Sequence, residues 1–116
     1  MIQKILVADD EPNIVISLEY LLRREGYTVL VARDGREALE LITRERPDLV
    51  LLDVMMPHKS GFEVCQEVRA DESLQSVKIL MLTAKGRDTD QAKGLALVFF
   101  FGGGRRWGTL RVARGG

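Results

Sequence analysis

Three short apolar runs in this chain each end on an acid or a hydroxyl, and they alternate with segments of helical periodicity. IQKILVADD closes on Asp9 and Asp10, PDLVLLDVMMP carries Asp53, and SVKILMLTA reaches Thr83. Strands alternating with helices imply right-handed crossovers and a parallel sheet with helices on both faces. In such sheets ligands bind beyond the carboxyl ends of the strands, where strand order switches. Asp9, Asp10, Asp53 and Thr83 all fall at those ends. The opposite ends, near Gln3, Pro47 and Ser76, carry no comparable set.

The pattern predicts a strand over Lys4–Ala8, then a helix with Pro12 in its first turn, where proline is tolerated. Ile14, Leu18, Leu21 and Leu22 line one face of that helix, and Gly26 ends it. A second strand is expected over Val29–Ala32. Asp34 and Gly35 open a second helix with Ala38, Leu39 and Ile42 inward. Leu49–Leu52 is almost wholly apolar, as suits a central parallel strand buried on both faces. Met55–Gly61 reads as a loop, Phe62–Ala70 as a helix and Val77–Leu82 as a fourth strand. Arg87–Leu97 reads as a helix weakened by Gly94.

The regular pattern stops there, which divides the chain into a core over 1–97 and an atypical tail over 98–116. Val98–Phe101 is a candidate fifth strand. Gly102, Gly103 and Gly104 follow, and Arg105–Gly116 has four arginines, three glycines and too few apolar residues for an amphipathic helix. A layered sheet of this kind needs a last helix as cover, and none is legible. At roughly 25 cal/mol per Å², about 400 Å² of uncovered apolar surface corresponds to about 10 kcal/mol. A surface of that size is usually an interface, so a homodimer or an exchange of the Phe99–Phe101 segment is expected to cover it.

Composition bounds the function classes. The 116 residues fit one domain. The 17 basic and 17 acidic residues cancel to a net charge of zero, which gives no electrostatic case for a nucleic-acid-binding body. RRWGTLRVARGG is basic and has a tryptophan, but it is too short and glycine-rich for a reading helix. Cys65 is the single cysteine, so no intrachain disulfide can form; it reads as a small core residue. No signal peptide and no run of 18 apolar residues is present, so a cytoplasmic location is expected.

Taken singly, an aspartate after a strand is commonly a turn or cap residue, and Thr83 can simply satisfy local backbone. Together, three crowded carboxylates repel one another and need a cation. An oxygen-only set suits magnesium, and no cysteine or histidine cluster argues for zinc. Asp53 would then be a carboxylate nucleophile toward phosphorus, with Thr83 a hydrogen-bond donor to a phosphoryl oxygen. His58 reads as loop polarity, Lys59 and Lys85 as steering charges, and Glu11 as a helix-terminus residue.

The stretches ILVADDEPN, DLVLLDVMMPHKSGFEVC and KILMLTAKG resemble the receiver domain of two-component response regulators, over Ile2 to about Leu97. The resemblance implies an α/β three-layer sandwich with a parallel sheet in the strand order 2-1-3-4-5. It implies that Asp53 is the phosphoacceptor, that Asp10 ligates Mg2+ directly and Asp9 mainly through water, and that the Met55 carbonyl completes the protein ligands. Thr83 would be the switch hydroxyl and Ala84 the small residue beside it. Pro57 and Gly61 match the loop after the acceptor strand. A histidine kinase would supply the phosphoryl group, and a downstream protein would read the fourth helix, fifth strand and fifth helix.

From Val98 the chain departs from that pattern. The lysine usual in the family falls on Arg105 and its proline on Arg106. A guanidinium is broader and its charge more spread than an ammonium, and the glycines before it hold nothing in place. Phe99–Phe101 reads as plain core rather than as a switch aromatic. The favoured function is a phosphoacceptor that modifies itself and turns over no external substrate. The competing readings are a non-signalling or dimerising derivative and a small aspartyl-phosphate phosphohydrolase. The second of these lacks a candidate general acid and a cap segment.

Overall fold

A computed structural model describes residues 2–84, 95–100 and 107–112, with side chains described as far as Met81. The elements run β1 (Lys4–Ala8), α1 (Pro12–Arg24), β2 (Thr28–Ala32), α2 (Gly35–Glu45), β3 (Leu49–Asp53) and α3 (Gly61–Ala70). A 3-10 turn (Glu72–Leu74) follows, then β4 (Lys78–Ala84), β5 (Leu95–Phe100) and β6 (Trp107–Val112). Among the described residues six strands join one sheet in the order β2-β1-β3-β4-β5-β6. β1 pairs in parallel with β2 and β3, and β3 with β4.

Period-two alternation divides the sheet's side chains between two layers. Leu6 and Ala8 of β1, Val50 and Leu52 of β3, and Ile79 and Met81 of β4 form the main core with Ala38 and Ile42 of α2 and Val64, Cys65 and Val68 of α3. On the other face Val7 and Val29 meet Val15 of α1, with Leu18, Leu22 and Leu51 packed beside them. The pairing of β1 with β3 is pinned at the end of the sheet where both strands begin. Asp48 Oδ2 accepts the Gln3 and Lys4 amides, both at 2.9 Å.

Two expectations change in detail. The inward face of α1 is centred on Val15, Leu18 and Leu22, while Ile14 and Leu21 are 38% and 51% exposed. Val15, Leu18 and Leu22 stand within about 60° of one another around the helix axis, and Ile14 and Leu21 both fall to the same side of that stripe, on its flank. β3 is also not buried equally on its two faces: Val50 and Leu52 are fully buried, but Leu49 and Leu51 are only half-buried, as is Leu80 of β4. The helix on that face, α1, packs over β1 and β2. Among the described residues no helix covers β3 and β4 there.

The end of the chain differs most. The fifth strand begins at Leu95, so Leu95–Leu97 is strand and not the end of a helix; residues 87–94 and Phe101 lie outside the described residues. β5 runs antiparallel to β4, with Thr83 opposite Ala96. Only residues 85–94 join the two strands, fewer than the dozen or so a parallel crossover takes. Trp107–Val112 is a sixth strand, antiparallel to β5, in place of a closing helix. LALVFF and WGTLRV are rich in β-branched and aromatic residues, which favour the pleated form.

Candidate metal centre

Strand order reverses direction of growth at β1 and β3, and the acids stand there. Asp53 is the last residue of β3, and Asp9 and Asp10 directly follow β1. Ala8 pairs with Leu52 in register, so the two strand ends finish together. The Asp9 amide donates to the Ala32 carbonyl at 3.1 Å, and its Oδ1 accepts the Glu11 amide at 2.9 Å. These bonds turn the chain sharply from β1 into α1 and hold the Asp9 carboxylate inward.

One carboxylate oxygen from each of Asp9, Asp10 and Asp53 lies within 4.8 Å of the others. Asp9 is buried, Asp53 half-buried and Asp10 exposed. Burial, and then the charges of Asp9 and Asp10, push the Asp53 carboxyl up to about 6, while the amides of Met55 and Val54 offset part of the rise. Asp9 is likewise raised, first by burial and also by the charges of Asp10 and Glu11. Carboxylates so placed resist ionising together. A hard divalent cation relieves that repulsion, and an all-oxygen donor set fits magnesium.

Met55 lies two residues beyond Asp53 in the loop. Its side chain is 73% exposed, so its contribution to a site would be its backbone carbonyl. Thr83 lies in β4, next to Leu82, the register partner of Asp53, which puts its backbone at the same edge. The Thr83 side chain, Lys85 and Arg105 lie outside the described residues. Lys59 is engaged elsewhere, its Nζ 2.6 Å from Glu67 Oε2. His58 is exposed, and Cys65 is buried with its thiol pushed up to about 11 by that burial.

Two features of the site escaped the reading of the residues. Ser60 and Glu63 form a reciprocal capping box that starts α3, and the S-x-x-E spacing is a local signal that could have revealed it. The approach of Gly35 to the loop after Asp53 is the other. It joins residues distant in the chain and leaves no local signature.

The strand order and the acid cluster at its switch point define a doubly wound α/β domain with a candidate divalent-cation site. The sequence pattern of the response regulator receiver domain matches residues 5–98, and the chain belongs to that family. It is 50% identical over 97 residues to the alkaline phosphatase synthesis transcriptional regulatory protein PhoP of Bacillus subtilis (strain 168). That match covers 84% of this chain and 40% of the relative, so the chain spans about two-fifths of the relative's length.

Among solved structures it is similar to the response regulator TrrA of Thermotoga maritima in complex with Mg2+ and BeF. The TM-score is 0.66 and the identity 41%, over 78% of this chain and 77% of that one. The receiver domain of a sensor histidine kinase from Pseudomonas aeruginosa PAO1, with a magnesium ion coordinated in its active-site cleft, has a TM-score of 0.69 and 33% identity. That match covers 80% of this chain and 76% of that one. Among the described residues no helix is long and apolar enough to cross a membrane.

Proposed function

We propose that this domain receives a phosphoryl group on Asp53 from a histidine kinase and signals through altered protein contacts. The observation that carries the reading is the convergence of Asp9, Asp10 and Asp53 at the ends of β1 and β3. An Asp53 oxygen forms a bond to phosphorus as the bond from phosphorus to the donor nitrogen breaks. Asp10 and Asp53 would hold Mg2+ directly, with Asp9 acting mainly through water and the Met55 carbonyl completing the protein set. Held there, the cation would offset the crowded carboxylates of Asp9, Asp10 and Asp53 and the charge on the transferring oxygens. Asp9, fixed by the Glu11 amide, keeps the pocket preorganised. Thr83 is assigned to the phosphoryl oxygen that appears once Asp53 is modified, which gives the added charge a way to move a neighbouring strand. The activity is self-modification and its reversal, without turnover of an external substrate.

Incubation with a small phosphodonor and magnesium tests this reading. The wild type should gain one phosphoryl mass and Asp53→Asn should gain none. Modification that persists in the substituted protein removes Asp53 from its role.

A second reading has its own support. The antiparallel β5 and the added β6 replace the strand and helix through which the family passes its signal. A dimerising derivative that accepts phosphate but does not transmit would show one oligomeric state before and after phosphorylation. A change of state on phosphorylation favours the signalling receiver. Dimerisation, by either route, would cover the half-buried strip formed by Leu49, Leu51 and Leu80.

A further inference from the structure

The loop that follows Asp53 is held between two glycines. On its inner side Gly61, the first residue of α3, donates its N–H to the Val54 carbonyl at 2.8 Å. A Cβ there would run into the Asp53 carbonyl oxygen. On its outer side Gly35, the first residue of α2, donates to the Pro57 carbonyl at 3.4 Å. A Cβ on Gly35 would overlap the Lys59 carbonyl oxygen and stand 2.5 Å from the Lys59 Cβ and 2.7 Å from its carbonyl carbon. These are main-chain atoms and the first side-chain carbon, so no flexible side-chain tip is available to swing aside.

Neither partner in that contact is free to retreat. The start of α2 is set by Asp34, whose Oδ1 accepts the Glu37 amide at 2.8 Å, and by Ala38 and Ile42, which are fully buried in the core. Lys59 is tied at both ends. Its amide bonds the Pro57 carbonyl at 2.7 Å across His58, which has a φ of 70°, and its Nζ pairs with Glu67 of α3. A three-residue turn about a non-glycine residue at positive φ is a strained form that persists only where its surroundings impose it. The first turn of α2 is part of those surroundings.

We propose that Gly35 is a positioning residue for the phosphoacceptor site. By having no side chain it lets the N-terminus of α2 act as the backstop for residues 54–60, and so sets where the Asp53 carboxylate and the Met55 carbonyl stand. Gly35 touches neither metal nor phosphoryl group; it acts through Pro57 and Lys59. This inference rests on the function proposed for Asp53.

The test compares wild type, Gly35→Ala and Gly26→Ala for magnesium affinity without phosphodonor, phosphorylation rate at saturating magnesium, and thermal midpoint. Gly26 has a φ of 98° with open space around it, at the far end of the sheet. Its alanine variant should lose stability and keep both site properties. Gly35→Ala should bind magnesium on the order of tenfold more weakly and react on the order of tenfold more slowly, because small misplacements of reacting groups are costly. A folded Gly35→Ala within twofold of wild type in both properties overturns the proposal. Should that variant not fold, the wild type decides by NMR. The Gly35 amide resonance should move as magnesium is added, and a Gly35 amide that stays fixed while those of Asp53 and Val54 shift overturns it equally. A wild type that takes up neither magnesium nor phosphoryl group is a different result: it strikes the proposed function, and this inference with it.

Discussion

Asp9 and Asp53 come from different strands, yet their carboxylates lie within 4.8 Å of each other and each is held above the ordinary carboxyl range. Each group is raised first by burial, and the charge of Asp9 raises Asp53 further. The protein therefore holds an arrangement that costs folding free energy until a cation or a proton neutralises it. Family membership, the fold and the proposed chemistry all meet in that pair.

The first prediction concerns that cost. The folded state raises the Asp53 carboxyl from 3.8 to about 6, so it binds more protons than the unfolded chain between those values. Its contribution to stability falls as pH rises through that window. Without magnesium, Asp53→Asn should be more stable than wild type at pH 7, on the order of 1 kcal/mol after allowance for solvent screening. The gain should fade below pH 3.8 and shrink when magnesium is added. Urea midpoints across pH, with and without the metal, measure it.

Asp48 gives the opposite sign. Its carboxyl lies below the usual 3.8 because it accepts the Lys4 and Gln3 amides. It therefore stabilises the fold above the unfolded value, and the contribution is lost as pH falls through the lowered folded value. Asp48→Ala should cost on the order of 1 kcal/mol at neutral pH from lost hydrogen bonds. That penalty should diminish in acid, and a penalty independent of pH down to the acid transition would contradict the assignment.

Cys65 should be inert in the folded protein. Burial raises its thiol from 9.0 to about 11, so at pH 8 the thiolate fraction is about a hundredfold lower than in the unfolded chain, before shielding is counted. Alkylation should be slow in buffer and rapid in urea. Equal rates in the two conditions would mean that the cysteine is not in the core.

Ser60→Ala removes one half of the capping box at the start of α3. The expected loss is about 1 kcal/mol in thermal or urea unfolding. Glu63→Ala should cost a similar or smaller amount, and the double variant less than the sum, because the two side chains cap one helix end together.

The packed layer around Leu52 offers a check on the fold itself. Leu52 is fully buried, in the core cluster to which α2, α3 and β4 also contribute. Leu52→Ala should destabilise by about 2–5 kcal/mol, whereas Leu21→Ala, on the exposed flank of α1, should change stability far less. Similar losses at both positions would contradict the helix face described for α1.

Strand periods, helix starts and the acids at the strand ends are local properties, and they were legible in the amino-acid sequence. Lys4–Ala8 stands as a strand with the expected bounds, and Asp34 and Pro12 mark the two helix starts. Asp9, Asp10 and Asp53 were legible as a set because β-strands that run parallel bring like ends together. What only the tertiary structure decided depends on contacts between distant residues. It chose Val15 over Ile14 and Leu21 as the buried edge of α1, and left one face of β3 half-covered. It turned β5 antiparallel because the connection is short, and set Gly35 against Lys59. Periodicity states which residues can share a face, but only packing selects the face and the neighbour it meets.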